Sequence, residues 1–149
     1  MVGAVIIAHS SIGTQLIATA EYIVGKLEGI TAVSIDFETN VFEARKAISQ
    51  AMRQVDQGDG VLLLTDLFGG SPCNIAFSFL NNEKVDVVTG VNLPMILTFW
   101  NKRRDTPLKE IAKYVQRSGT RGISRATDLI EAKSDGRGTR TTDKQLSQK

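Results

Sequence analysis

Two short aliphatic runs restrict the fold more than any other feature of the sequence. Residues 2–8 contain no polar side chain, and residues 61–64 are again entirely aliphatic. Continuous runs of this kind are typical of parallel strands whose two faces are both covered by helices. Each run is far shorter than the ~20 residues that cross a bilayer, and no basic signal-peptide stretch precedes the first. We therefore expect a cytoplasmic α/β protein without a membrane span.

Strand and helix periodicities alternate along the rest of the chain. The predicted elements are strands at 2–8, 30–37, 61–65 and 85–89, and helices at 12–26, 41–55, 71–80 and from about 93 and 107. In the second helix, Phe42 and Ile48 are expected on the buried face. The alternation predicts a doubly wound, mainly parallel four-stranded sheet of order 2-1-3-4 with helices on both faces. A weak signal for an extra strand lies at 122–124.

The C-terminal residues differ in composition from the rest of the chain. We predict one domain at residues 1–130 and a polar, disordered tail at 131–149, because the last 17 residues contain one leucine and no aromatic residue. Those 17 residues carry a formal charge of +3, which leaves −1 on residues 1–132. The predicted domain therefore has no excess of basic residues for nucleic acid. A solvated tail is favoured over a nucleic-acid-binding arm.

Cysteine and histidine are too few for several kinds of site. Cys73 is the only cysteine and His9 the only histidine. An internal disulfide is therefore impossible and a structural zinc site is not expected. No metal and no cofactor are predicted.

His9 and Asp66 follow the first and third predicted strands. In a sheet of order 2-1-3-4, these two strands are neighbours, and ligands bind where the strand order reverses, beyond the carboxyl ends of the strands. An imidazole can act as a nucleophile when a carboxylate accepts a hydrogen bond from the N–H of its other nitrogen. The alternative is that Asp66 only caps a turn. The strand-end position of His9 favours the functional interpretation.

A glycine pair follows Asp66 and precedes a helix. Gly69 and Gly70 would let backbone amides approach an anion, and the hydroxyl of Ser71 could add a hydrogen bond. The alternative is an ordinary tight turn into a helix. The sequence lacks the lysine of a P-loop and the dinucleotide fingerprint G-x-G-x-x-G. The expected anion is therefore a phosphoryl group that another molecule delivers.

Other polar and apolar residues near the strand ends have two interpretations each. Ser10, Ser11 and Thr14 could donate to the anion or begin the first helix, and capping is favoured for Ser11. Asn92 and Pro94 could form a wall of the crevice or the cap of the next helix. More distant residues are expected to be structural: a buried core for Cys73, Phe99 and Trp100, and a solvated helix end for Arg103 and Arg104.

Three motifs together resemble a known family. They are Ala8-His9 after the first strand, Thr65-Asp66-Leu67-Phe68-Gly69-Gly70-Ser71-Pro72-Cys73-Asn74 after the third, and Gly90-Val91-Asn92-Leu93-Pro94-Met95 after the fourth. The sequence resembles the mannose-type enzyme IIA (EIIA) domain of the bacterial phosphoenolpyruvate-dependent sugar phosphotransferase system (PTS). The resemblance covers residues 1 to about 130, and it implies the same doubly wound fold.

The resemblance also implies a role for each site residue. His9 would accept a phosphoryl group on Nε2 from phospho-HPr and pass it to an EIIB component, while Asp66 would hydrogen-bond Nδ1. Ser71 and the loop at Leu67, Gly69 and Gly70 would hold the phosphoryl oxygens.

Several partners follow from the same resemblance. Such domains form homodimers in which a C-terminal strand crosses to the partner, which would give residues 122–124 a purpose. Contact with the membrane would be indirect, through EIIC and EIID. Because no alanine- and proline-rich linker follows residue 130, EIIB is expected to be a separate protein.

Because both partners are proteins, His9 is expected in a shallow crevice with an apolar docking rim. The candidates for this rim are Leu67, Phe68, Asn92, Leu93 and Met95. One alternative is a regulatory EIIA whose phosphorylation state controls a partner without sugar transport. Another is a hydrolase with Ser71 as nucleophile, which is disfavoured because Pro72 removes the amide that an oxyanion hole would use.

Overall fold

The computed structural model, which describes residues 1–135, contains a four-stranded parallel sheet. Its strands are β1 (Gly3–His9), β2 (Ile30–Ile35), β3 (Val61–Thr65) and β4 (Val85–Thr89), in the order β2-β1-β3-β4. The predicted order is confirmed. In the register of the sheet, His9 pairs with Ile35 of β2, and Ile7 pairs with Thr65 of β3. His9 is therefore the last residue of a central strand, two positions beyond the end of the β1–β3 ladder.

Helices cover both faces of the sheet, as predicted. They are α1 (Ile12–Val24), α2 (Val41–Val55), α3 (Ser71–Phe77), α4 (Leu93–Lys102) and α5 (Leu108–Arg121), and residues 126–135 are also helical. Alternate side chains of β1 enter two separate cores, because successive strand residues point to opposite faces. One core lies under α1, α4 and α5, and the other lies under α2 and α3. None of the described helices combines the length and apolar character needed to cross a bilayer.

Strand β2 ends two residues earlier than predicted. A turn replaces the strand, because the amide of Thr39 donates to the carbonyl of Asp36 and the amide of Asp36 donates to Oγ1 of Thr39. Phe37, at the centre of this turn, is fully exposed. Phe42, in the first turn of α2, is 78 % exposed, so its predicted burial is wrong. Phe42 is two, six, nine and thirteen residues from the buried Ala44, Ile48, Ala51 and Val55, which at 3.6 residues per turn places it on the opposite side of α2.

The predicted solvated position of Arg103 is also wrong. Its side chain is buried at the amino end of the sheet, where Nε donates to the carbonyl of Val2 at 2.9 Å and Nη1 donates to the carbonyl of Glu28 at 2.6 Å. Burial lowers the pKa of the guanidinium, and neighbouring Arg104 acts in the same direction. Arg104 itself is exposed, as expected. A guanidinium is well suited to this position because its donors can bind two separate backbone carbonyls.

The extra strand expected at residues 122–124 is absent from the described chain. Residues 122–125 form a short connection, after which the carbonyl of Arg125 accepts from the amides of Asp128 and Leu129 and begins the next helical segment. Ile123 is the only apolar side chain in the connection, so these four residues lack the alternation of apolar and polar side chains that is typical of a strand. The predicted tail overlaps this helix at 131–135, and residues 136–149 lie outside the described residues.

Candidate functional site

His9 and Asp66 lie in direct contact at the carboxyl end of the sheet. Oδ2 of Asp66 is 2.8 Å from Nδ1 of His9, and the same oxygen accepts the backbone amide of His9 at 2.9 Å. Because this carboxylate oxygen accepts hydrogen bonds, the Nδ1 position carries the proton in the neutral ring. Nε2 then keeps its lone pair. The side chain of His9 is 44 % exposed, so the ring is accessible from solvent.

Asp66 is held as an anion by its contacts with His9. Burial alone would raise the pKa of its carboxyl, but the hydrogen bonds from the His9 amide and ring outweigh that effect, and the net pKa is lowered. The Asp66 side chain is only 11 % exposed. Its other oxygen, Oδ1, is buried without a hydrogen-bond partner in the described chain. The carboxylate therefore directs its charge toward the imidazole.

The turn after His9 depends on an unusual backbone conformation. Ser10 has φ +51°, a left-handed conformation that non-glycine residues rarely adopt. The hydroxyl of Ser34, near the end of β2, donates to the carbonyl of Ser10 at 2.7 Å and so supports this turn. Ser11 occupies the N-cap position of α1, but its side chain makes no capping hydrogen bond, contrary to the favoured interpretation. Its hydroxyl is exposed beside the histidine turn.

The glycine loop lies against the imidazole. A Cβ atom added to Gly70 would be 3.3 Å from Cε1 of His9, the ring carbon between the two nitrogens. Gly69 has φ +86°, and the amides of Leu67, Phe68 and Gly69 make no hydrogen bond within the described chain. Consecutive free amides next to a left-handed residue form a concave site that attracts anions.

Ser71 begins α3, at the residue where the sequence predicted that helix to start. Gly70 is the N-cap of α3, and Ser71 is its first helical residue, with an exposed side chain. The hydroxyl of Ser71 therefore does not cap the helix. It is available at the same edge of the sheet as His9.

Only some of the residues predicted to form the docking rim are exposed. Leu67 and Phe68 are 58 % and 74 % exposed, whereas Leu93 is half-buried against the core. Met95 is 2 % exposed, so the rim prediction for this residue is wrong; it packs beneath α5, where a Cβ on Gly119 would contact its thioether.

Asn92 serves as a cap. Its Oδ1 accepts the amide of Met95 at 3.2 Å, and its Nδ2 donates to the carbonyl of Gly119 at 3.0 Å. It therefore begins α4 and joins that helix to α5.

A second exposed apolar group was not predicted. Phe37, Val41 and Phe42 lie between β2 and α2 and are 105 %, 62 % and 78 % exposed. They share the carboxyl edge of the sheet with His9, because Asp36 directly follows the residue that pairs with His9. A cluster of aromatic and acidic residues at a strand end was the available sequence signal. Within residues 1–135, no group of three or more His, Cys, Asp or Glu is placed to hold a metal ion.

Comparison with known proteins identifies relatives over most of the chain. A family model described as the PTS system fructose IIA component matches residues 3–116. The fructose-specific EIIA component of Bacillus subtilis (strain 168) is 25 % identical over 132 residues, which are 88 % of this chain and 90 % of that protein. The mannose-specific EIIAB component of Escherichia coli (strain K12) is 30 % identical over 121 residues, 80 % of this chain. This chain spans only 38 % of that longer protein.

Solved structures agree with the sequence relatives. The PTS IIA protein associated with the fucose utilization operon of Streptococcus pneumoniae has a TM-score of 0.73 and 28 % identity, and the match covers 87 % of this chain and 96 % of that one. EIIA from Streptococcus agalactiae has a TM-score of 0.78 at 22 % identity, with 86 % and 99 % of the two chains covered, and supports the fold alone. The sequence relatives favour a phosphocarrier component over the regulatory alternative. The chain therefore belongs to the mannose-type family of PTS enzyme IIA components.

Proposed function

We propose that His9 accepts a phosphoryl group on Nε2 from phospho-HPr and passes it to an EIIB component. The observation that carries this proposal is the double hydrogen bond to Oδ2 of Asp66. That oxygen binds both the amide and Nδ1 of His9, at 2.9 and 2.8 Å. The imidazole is thereby fixed relative to its own strand, with its nucleophilic nitrogen turned away from the carboxylate.

The chemistry exchanges one phosphorus–nitrogen bond for another. The lone pair of Nε2 attacks the phosphorus, and the bonding electrons of the donor's phosphorus–nitrogen bond return to the donor's imidazole. The His9 ring gains positive charge, while Nδ1 keeps its proton. Asp66 stabilises that charge because its carboxylate is already ionised and oriented before the reaction.

The loop after β3 would hold the phosphoryl oxygens. Supporting this are the free amides of Leu67, Phe68 and Gly69, the exposed hydroxyl of Ser71 and the absence of a side chain at Gly70. Hydrogen-bond donors that are already in place at the equatorial oxygens lower the barrier to phosphoryl transfer. No cofactor is required for this step.

We also propose that the protein acts in the cytoplasm as a homodimer. Ile123, Leu129 and Ile130 are 78 %, 53 % and 67 % exposed in the single chain. Strand β4 is an edge of the sheet. A second copy would cover these apolar side chains. Light scattering of the purified chain should give twice the monomer mass, and Leu129→Lys with Ile130→Glu should reduce it to the monomer mass.

The main experiment reconstitutes the transfer. Phosphoenolpyruvate, enzyme I and HPr should add one acid-labile, base-stable phosphoryl group per chain. His9→Ala should abolish the labelling, because the only imidazole of the chain is lost. Labelling that persists in His9→Ala would show that His9 is not the phosphoryl acceptor. His9→Gln, which keeps a polar side chain of similar reach, serves as the folding control and should also remain unlabelled.

A further inference from the structure

A patch of acidic and aromatic side chains between β2 and α2 lies beside His9 but takes no part in the chemistry described so far. We define the acidic–aromatic patch as Asp36, Phe37, Glu38, Val41, Phe42 and Glu43. All six side chains are exposed. Isolated exposed apolar residues are ordinary, but three within six residues are a feature of interaction surfaces.

The local backbone holds Phe37 outward. The hydrogen bonds between Asp36 and Thr39 close a turn that places Phe37 and Glu38 at its two central positions. Turn positions usually carry glycine, proline, asparagine or aspartate, so a phenylalanine there gains nothing from the fold. The side chain of Asn40 then accepts the amide of Glu43 at 2.8 Å and starts α2. The patch therefore stands on a well-supported turn and a capped helix.

The carboxylates of the patch are not used by the fold. Among residues 1–135, the side chains of Asp36, Glu38 and Glu43 make no ion pair and no hydrogen bond. With Phe37 and Thr39 they line one open depression. The nearest arginine along the chain, Arg45, is turned toward α3, where it contacts Ser78 and lies 4.8 Å from the ring of Phe79.

The patch is coupled in space to the reacting histidine. Ile35 pairs with His9, and Ser34 supports the turn after His9 through its bond to the carbonyl of Ser10. Neighbouring strands lie about 4.8 Å apart. A protein seated over His9 must therefore also cover the patch on the β2 side, and Leu67 and Phe68 on the β3 side.

We propose that the acidic–aromatic patch is the docking surface for the phosphoryl donor, a protein whose phosphohistidine is surrounded by basic and apolar side chains. The proposal rests on phosphoryl transfer to His9. The donor brings a dianionic group toward a crevice that already contains the Asp66 carboxylate, so its own basic residues must offset that repulsion. Those basic residues find their counter-charges on the β2 side, away from the glycine loop that takes the phosphoryl group. Complementary charge of this kind mainly raises the association rate and fixes orientation.

The experiment measures the rate of His9 labelling against the concentration of phospho-HPr. Phe37→Ser with Phe42→Ser should raise the half-saturating concentration about tenfold and leave the rate at saturation within about twofold, since aromatic anchors dominate docking energies. The single variant Phe37→Tyr, which keeps an aromatic ring at this position and leaves Phe42 unchanged, should retain most of the affinity for phospho-HPr. The matched control is Tyr22→Ser, which removes an aromatic side chain 92 % exposed on α1, about 15 Å along the helix from its first turn.

The carboxylates are tested by salt dependence. Asp36→Asn, Glu38→Gln and Glu43→Gln together should raise the half-saturating concentration about fivefold at low ionic strength. The difference from the unmodified chain should shrink in high salt, because exposed charges are screened. Glu83→Gln, an exposed carboxylate preceding β4 at the opposite edge, should change nothing.

Each outcome decides one question. An unmodified chain that takes no label defeats the proposed function and this docking surface with it. Normal labelling with unchanged donor affinity in the patch variants overturns the docking surface and leaves the proposed function standing. Weakened delivery to EIIB with unchanged receipt from phospho-HPr also overturns it, because the patch would then belong to the acceptor. Circular dichroism and thermal unfolding of the variants exclude loss of fold.

Discussion

Two charged side chains, Arg103 and Asp66, lie at opposite edges of the same sheet and are shielded from solvent in different ways. Arg103 is 2 % exposed and donates to the carbonyls of Val2 and Glu28. Asp66 accepts two hydrogen bonds, both from His9, and both on one oxygen. Backbone carbonyls are fixed partners, whereas an imidazole can react. The first arrangement stabilises the fold, and the second fixes the orientation of an accessible imidazole.

Burial of a charge does not by itself indicate function. Arg103 is more deeply buried than Asp66, yet all its described hydrogen-bond partners belong to the backbone. What distinguishes Asp66 is that its partner is a titratable side chain, 44 % exposed, at the end of a central strand. The identity and accessibility of the partner are better guides to chemistry than the depth of the charge.

The largest expected effect is on stability. Arg103→Ala should lower the free energy of unfolding by about 3 kcal/mol, because two backbone carbonyls lose their donor and a buried volume is vacated. Urea denaturation measures this loss. The rate of phosphoryl transfer per folded molecule should be unchanged. Arg104→Ala, the exposed neighbour, should cost less than about 0.5 kcal/mol; an equal loss in both variants would contradict the structural role of Arg103.

Removal of the charge at Asp66 should have the opposite effect: the rate of phosphoryl transfer should fall, and the stability should change little. Asp66→Asn should slow the labelling of His9 by roughly 10- to 100-fold, about 1.4–2.7 kcal/mol in the barrier, because the imidazole loses its counter-charge. The free energy of unfolding should change by less than about 1 kcal/mol. Rapid-quench labelling gives the rate, and Asp105→Asn is the exposed control. A transfer rate equal to that of the unmodified chain would remove Asp66 from the mechanism.

A methyl group at Gly70 should produce a smaller effect on the same reaction. Gly70→Ala should slow transfer about three- to tenfold, because the new Cβ would lie 3.3 Å from Cε1 of His9 and the ring or the loop must shift. The same labelling assay measures it. Asn74→Ala, exposed on the next turn, is the comparison variant. Equal rates in the two would mean that the loop does not contact the ring during transfer.

The smallest expected effect is the pH dependence of stability. The folded-state pKa of Asp66 is lowered, so its contribution is present above the unfolded pKa of about 4 and is lost as the pH falls through the lower folded value. The difference in unfolding free energy between the unmodified chain and Asp66→Asn should therefore shrink below about pH 4. Arg103 stays charged throughout this range, so the loss in Arg103→Ala should stay constant. A constant difference for Asp66→Asn would contradict its ionised state.

Sequence patterns were sufficient to predict the parallel sheet and the proximity of His9 and Asp66 at its carboxyl edge. The aliphatic runs of β1 and β3 indicated parallel strands, and the strand order then placed His9 beside Asp66. Both inferences depend on local patterns and on a topological rule that holds widely. The glycine loop was predicted on the same basis.

Contacts between residues far apart in the sequence could not be predicted from those patterns. Arg103 is separated by 101 residues from Val2, its hydrogen-bond partner, so nothing near Arg103 in the sequence indicates its burial. Met95 lies on the buried face of α4, whereas Phe42 lies opposite the buried residues of α2, so the side of each helix that meets the sheet decides their exposure. The free amides of the glycine loop and the φ of Ser10 are likewise properties of the folded backbone.

The exposure of the His9 ring has a consequence for the lifetime of the proposed phosphohistidine. In the proposed cycle, the ring that a partner's histidine must reach is also accessible to water, since 44 % of the His9 side chain is exposed. The half-life of the phosphohistidine against hydrolysis therefore limits how long the chain can wait for its acceptor. In that cycle, the concentration of the acceptor would set the fraction of phosphoryl groups that is passed on before hydrolysis removes them.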